Sequence, residues 1–137
     1  MERAFKRDIS LLEEVFAFVS RFAQQQGLDD ASVYALDLAI EELFVNMVRY
    51  NPGNPNNILI SLQADQGKVI ASLTDFDVEP FDLTKFQPYD TEKPLAERRP
   101  GGLGIHLVRT IMDDVSYEYR DRTSRIMLTK YLGKAHV

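Results

Sequence analysis

Cysteine is absent from the 137 residues, which excludes a disulfide framework, a thiolate metal site and a cysteine nucleophile. Histidine is scarce. His106 has no second histidine or cysteine near it and reads as a surface or capping residue, and His136 falls in a tail expected to fray. Positive charge is in deficit, with sixteen Lys and Arg against twenty-one Asp and Glu and a net charge of −5. That balance argues against nonspecific nucleic-acid binding, which needs basic patches. No apolar run approaches the roughly 20 residues of a membrane span. The opening MERAFKRDIS lacks the apolar core of a signal peptide. The expectation is a cytoplasmic protein with neither a nucleic-acid nor a membrane partner.

What is present suffices for a core. Hydrophobic residues make up 45% and charged residues 27%, and the length suits one domain over 1–137. MERAF reads as a short edge strand. Ser10 followed by Glu13 predicts a capping box, after which Leu11, Leu12, Val15, Phe16, Val19, Phe22 and Ala23 recur at helical spacing until Gly27. Asp29 or Asp30 is placed to cap a second helix reaching about Tyr50, where NPGNPNN stops it. NILISLQAD and KVIASLTDF alternate around a glycine-containing turn, as a hairpin does, and VSYEYRD and SRIMLTKYL read as another. Between them, after Phe81, lies a polar, aperiodic stretch with Pro88 and Pro94; such stretches in compact domains are functional or disordered. The order of elements predicts an α+β fold, a two-layer sandwich with helices on one face of a mostly antiparallel sheet.

In the second helix Val33, Leu36, Ile40, Leu43, Phe44 and Met47 form the core stripe. Glu42 and Asn46, four apart, share another face with the small residues Ala35 and Ala39. A carboxylate and a carboxamide on a largely covered helix need partners. Two solutions stand open from the spacing. Glu42 pairs with Arg49 while Asn46 caps a strand, or the two oxygens serve a magnesium ion and an activated hydroxyl or water.

Residues 101–104, GGLG, stand before the apolar run Ile105, Leu107, Val108, Ile111 and Met112. Glycine costs roughly 0.5–1 kcal/mol in a helix interior. At a helix start it instead lets the backbone approach an anion, with free N–H groups and a partial positive charge behind it. Arg98 and Arg99 lie just upstream and read either as charge stabilisers for a phosphate or as a solvated basic pair.

Taken in order, the E-x-x-x-N helix, the strand ending in TDFDVEPFD, the long irregular segment and the GGLG helix start resemble the Bergerat-fold (GHKL) ATPase superfamily. Within it the chain is most similar to the anti-sigma-factor serine/threonine kinases of bacterial partner-switching systems. The resemblance runs from about Ala31 to the C-terminus and implies ATP and Mg²⁺ as cofactors. It implies that Glu42 polarises the attacking hydroxyl, that Asn46 ligates Mg²⁺, and that Asp75 accepts from the adenine amino group. Pro80 and Phe81 match the start of the nucleotide lid. Gly101, Gly102, Leu103 and Gly104 match the second glycine motif, Arg99 would meet the γ-phosphate, and Ser124 falls near the adenine site. Tyr50 and Asn51 border the phosphates or cap the helix. The implied partners are an anti-sigma-factor antagonist, a sigma factor, or both, and relatives commonly form homodimers.

One position departs from the family. Where D-x-G is usual, this chain has Asp75-Phe76-Asp77. Aspartate tolerates a left-handed backbone, but a second carboxylate in the pocket would crowd the base or repel phosphate. That carries a second expectation: a partner-binding module of the same fold with weakened nucleotide affinity.

Overall fold

A computed structural model describes residues 1–51, 53–80 and 102–132, with the backbone alone at 102–105. Strand β1 (Glu2–Phe5) leads through a 3-10 turn (Ile9–Leu11) into helix α1 (Leu12–Gln26) and helix α2 (Asp30–Tyr50). Strands β2 (Ile58–Asp65) and β3 (Lys68–Phe76) follow, then helix α3 (Gly102–Ile111) and strands β4 (Asp114–Arg120) and β5 (Thr123–Tyr131). The strands form one antiparallel sheet in the order β1-β2-β3-β5-β4. This is the α+β architecture that the element order predicted.

The turns explain the register. Gln66 and Gly67 join β2 to β3, and Asp121 and Arg122 join β4 to β5, all four at positive φ. Two-residue loops of that hand match the twist of paired strands. The register sets Leu73 across from Ile60 on one side and Ile126 on the other, and Ala71 across from Leu62 and Leu128. All six are buried, so this face carries the core and the helices pack on it. Phe5 of β1 meets the rings of Phe18 and Phe44 edge-on, at centroid distances of 5.7 and 6.5 Å.

Helix α1 ends as predicted. Gly27, at φ 66°, donates to Gln24, and Leu28 donates to Ala23, which is the Schellman arrangement. Its start differs from the expected Ser10–Glu13 capping box. Asp8 instead accepts from the Ser10 N–H at 2.9 Å and caps the 3-10 turn, and no side chain caps α1 itself. The nearer carboxylate captured the N–H first and tightened the entry into a 3-10 turn. Ala35 and Ala39 of α2 are buried, in keeping with a largely covered helix.

Asp37 lies half-buried on α2, with one carboxylate oxygen buried and without a hydrogen-bond partner among the described residues. Burial first, and then the charge of Glu41 one turn on, push its carboxyl from 3.8 up to about 6. The folded protein therefore holds this proton more tightly than the unfolded chain does. The charged form costs stability above about pH 6, and the cost fades as pH falls towards the unfolded value. After allowance for solvent screening, Asp37→Asn is expected to stabilise by on the order of 1 kcal/mol at neutral pH and by little at about pH 4. Urea unfolding at the two pH values checks this; an equal effect at both would remove the titration as the cause.

Candidate functional site

The C-terminal half of α2 turns one face to the ends of β3 and β5. Leu43, Asn46, Met47, Tyr50 and Asn51 follow helical spacing on that face, and with Asp75, Val78, Glu79, Pro80, Ser124 and Ile126 they line a cavity of about 190 Å³. Asp75 and Ser124 are partners across the β3–β5 ladder, so both reach the cavity from the same level of the sheet. Asn46, Asp75 and Ser124 are buried to within 5% of full enclosure. An apolar cleft with a few converging polar groups has the make-up of a small-molecule site.

Both carboxylate oxygens of Asp75 have partners within the protein, held unequally. Its Oδ1 accepts from Nη2 of Arg7 and its Oδ2 from Asn51 Nδ2 at 3.3 Å. Arg7 Nη1 donates to the Met47 carbonyl at 2.8 Å and reaches Oδ2 at 3.4 Å. Sequence reasoning missed Arg7. It lies 68 residues from Asp75, between a strand and a helix start, where a cation reads as solvated. Asn51 is the C-cap of α2 and touches Asp75, the residue expected to meet a base, so its place is at that end of the site.

Asn46 is buried, and its Nδ2 has no hydrogen-bond partner among the described residues. One turn earlier, Glu42 is half-buried and does not line the cavity. Burial pushes its carboxyl up, Asn46 and Arg49 pull it back in that order, and Glu41 adds a smaller upward push. Among the described residues no group of three or more His, Asp or Glu side chains is placed to hold a metal ion. A divalent ion here would take one carboxamide oxygen from Asn46 and depend for the rest on ligand phosphates and water, the usual habit of Mg²⁺.

Asp77 adopts the left-handed backbone that the missing glycine would have supplied, with φ 56°. Its side chain corrects the expectation of a second carboxylate in the pocket. The carboxylate accepts from Arg122 Nε at 2.8 Å, is 66% exposed, and is absent from the cavity lining. Arg122 also donates to Glu79 at 3.1 Å. The segment after β3 is tied to the β4–β5 turn through Val78 N–H to the Arg122 carbonyl, at 2.9 Å. Pro80 lines the cavity. Gly102, Leu103 and Gly104 form the first turn of α3, which packs against α2. Phe81, Pro88, Pro94, Arg98, Arg99, Gly101 and His136 lie outside the described residues.

Comparison with known proteins agrees with this layout. The family model of the histidine kinase-like ATPase domain matches residues 5–130. The chain is 30% identical over 125 residues to the serine-protein kinase RsbW of Oceanobacillus iheyensis, covering 87% of this chain and 78% of the relative. It is 28% identical over 128 residues to the serine-protein kinase RsbW of Listeria monocytogenes, with the same coverages. Among solved structures, the RsbU and RsbW domains of a Mycobacterium tuberculosis protein superpose with TM-score 0.70 at 15% identity, over 96% of this chain and 32% of that one. The Acinetobacter baumannii histidine kinase AdeS gives 0.57 at 13% identity, over 98% of this chain and 68% of that one. These two likenesses speak for the fold, and the family match speaks for descent: the chain belongs to the histidine kinase-like ATPase domain family.

Proposed function

We propose that this protein is a cytoplasmic, ATP-dependent serine/threonine kinase of the anti-sigma-factor type, phosphorylating a small antagonist protein in a partner-switching pathway. The observation that carries the reading is the convergence of buried Asn46 and Asp75, from α2 and β3, on one largely apolar cavity. Similarity to serine-protein kinases RsbW over most of both chains supports the choice of kinase. Among the described residues no helix is long and apolar enough to cross a membrane.

The cavity is smaller than the roughly 300 Å³ at which whole-ligand pockets begin, and its apolar walls suit a flat ring system. Asp75 would accept from the amino group of adenine there, with Ser124 beside it. Asn46 would hold Mg²⁺ through its carboxamide oxygen, and the glycines opening α3 would present N–H groups to phosphate. Bound Mg·ATP would supply the γ-phosphoryl group, with ADP as the leaving group. Glu42 takes the proton of the attacking serine hydroxyl, and burial raises its basicity for that task. Arg99 would offset charge on the transferred group, and most of the rate would come from positioning and electrostatics. The added phosphate would then repel the antagonist from an already acidic protein. The rival reading, a binding module that has lost its nucleotide, drew its support from Asp77 in the pocket, and that carboxylate is paired with Arg122 instead.

Calorimetric titration with Mg·ATP tests the site. Micromolar binding by the parent is expected, weakened about tenfold or more by Asn46→Ala, the loss of a hydrogen-bond-sized contact to a charged ligand. Equal binding by both proteins would overturn the magnesium assignment.

A further inference from the structure

One member of a buried ion pair at this site, Arg7, has no part in the scheme above. Arg7 does not line the cavity. It stands behind Asp75, and the two side chains are 6% and 2% exposed. Its Nη2 occupies Asp75 Oδ1, while Nη1 is anchored on the Met47 carbonyl at 2.8 Å, which ties the guanidinium to the α2 backbone. Among the described residues Oδ2 carries only long contacts, 3.3 Å from Asn51 and 3.4 Å from Arg7 Nη1. The two oxygens are therefore unequal: one is closed by a charged donor, and the other can still take a short bond.

We infer that Arg7 sets the base selectivity of the cavity, favouring a 6-aminopurine over a 2-amino-6-oxopurine. A carboxylate with both oxygens open accepts two parallel N–H groups, the fork that an arginine presents. Guanine offers such a pair in its ring N1–H and its exocyclic amino group. Adenine offers one amino donor beside a ring acceptor. With Oδ1 closed by Arg7, guanine would bury an N–H without a partner, and an unmade bond in a buried site is costly. Adenine needs only Oδ2. Arg7 thus acts through Asp75, as a positioning residue that subtracts the bond guanine would need.

This inference rests on the nucleotide reading, and the test separates the two. ATP and GTP are titrated in Mg²⁺ against the parent, Arg7→Met and Arg7→Lys, with melting curves confirming that each protein is folded at the titration temperature. The parent is expected to prefer ATP. Arg7→Met, which opens Oδ1, is expected to narrow the ATP-to-GTP affinity ratio by about tenfold or more. Arg7→Lys keeps the counter-charge without the fork; it preserves the fold should the Met variant lose it, and its ratio is expected between the two. Parallel loss of both affinities, with the ratio unchanged, would make Arg7 purely structural and overturn the inference. A parent that binds ATP and GTP equally would also overturn it, while leaving the nucleotide site standing. A parent that binds neither would remove the nucleotide reading and this inference together.

Discussion

Glu42→Gln is expected to slow phosphoryl transfer by about 10²–10⁴-fold, the usual worth of a positioned general base, without weakening Mg·ATP binding. The substitution keeps shape and removes one negative charge from the neighbourhood proposed for phosphate, so affinity is expected to hold or tighten slightly. The measurement is ADP release under saturating Mg·ATP, beside a calorimetric titration. A pH profile adds a signature that a structural role would not give. Glu42 must be ionised to accept a proton, and burial has pushed its carboxyl above the ordinary range. Turnover in the parent is therefore expected to fall on acidification at a higher pH than an exposed glutamate would cause, and this limb is expected to vanish in Glu42→Gln. A variant as active as the parent would return Glu42 to the bland role of a half-buried helix residue.

Asp75→Ala is expected to do two things at once. It removes the acceptor proposed for adenine, and it strands the Arg7 guanidinium, 6% exposed, with the Met47 carbonyl as its remaining partner among the bonds described above. Breaking a buried pair by removing one partner costs about 3–5 kcal/mol, because the survivor is an uncompensated charge. Replacing both partners by apolar groups is often close to neutral. The double variant Arg7→Met/Asp75→Ala is therefore expected to recover most of the lost stability while regaining no ATP affinity. Urea unfolding and calorimetry on the single and double variants separate the two effects. A single-variant cost below about 1 kcal/mol would place this pair with ordinary surface salt bridges.

How far the sequence carried this picture depended on how local each signal was. The stripe on α2 and the alternation on β2, β3 and β5 are written at fixed spacings, so the layers, and the faces bearing Asn46 and Asp75, were legible. The left-handed backbone at Asp77 was also legible, because it follows from residue type and a strand end. Where that side chain points was not, since Arg122 arrives from the turn of a separate hairpin. The Ser10–Glu13 cap failed on the smallest scale, through competition from Asp8 two residues away. Arg7 was illegible on the largest. No pattern links two residues 68 positions apart until a sheet brings them together.

That distance has a consequence for how long the cavity persists. Arg7 follows a strand of four residues at the edge of the sheet, paired among the described residues with β2 alone. Edges of this kind open far more readily than central strands, with free energies well below that of global unfolding. Detachment of β1 would leave Arg7 without its strand, tied to the site through its own bonds to Asp75 and the Met47 carbonyl. The persistence of the intact pocket is therefore expected to depend on this edge strand as well as on the core that Phe5 joins. Clamping or freeing the first few residues is therefore expected to adjust the binding site through Arg7.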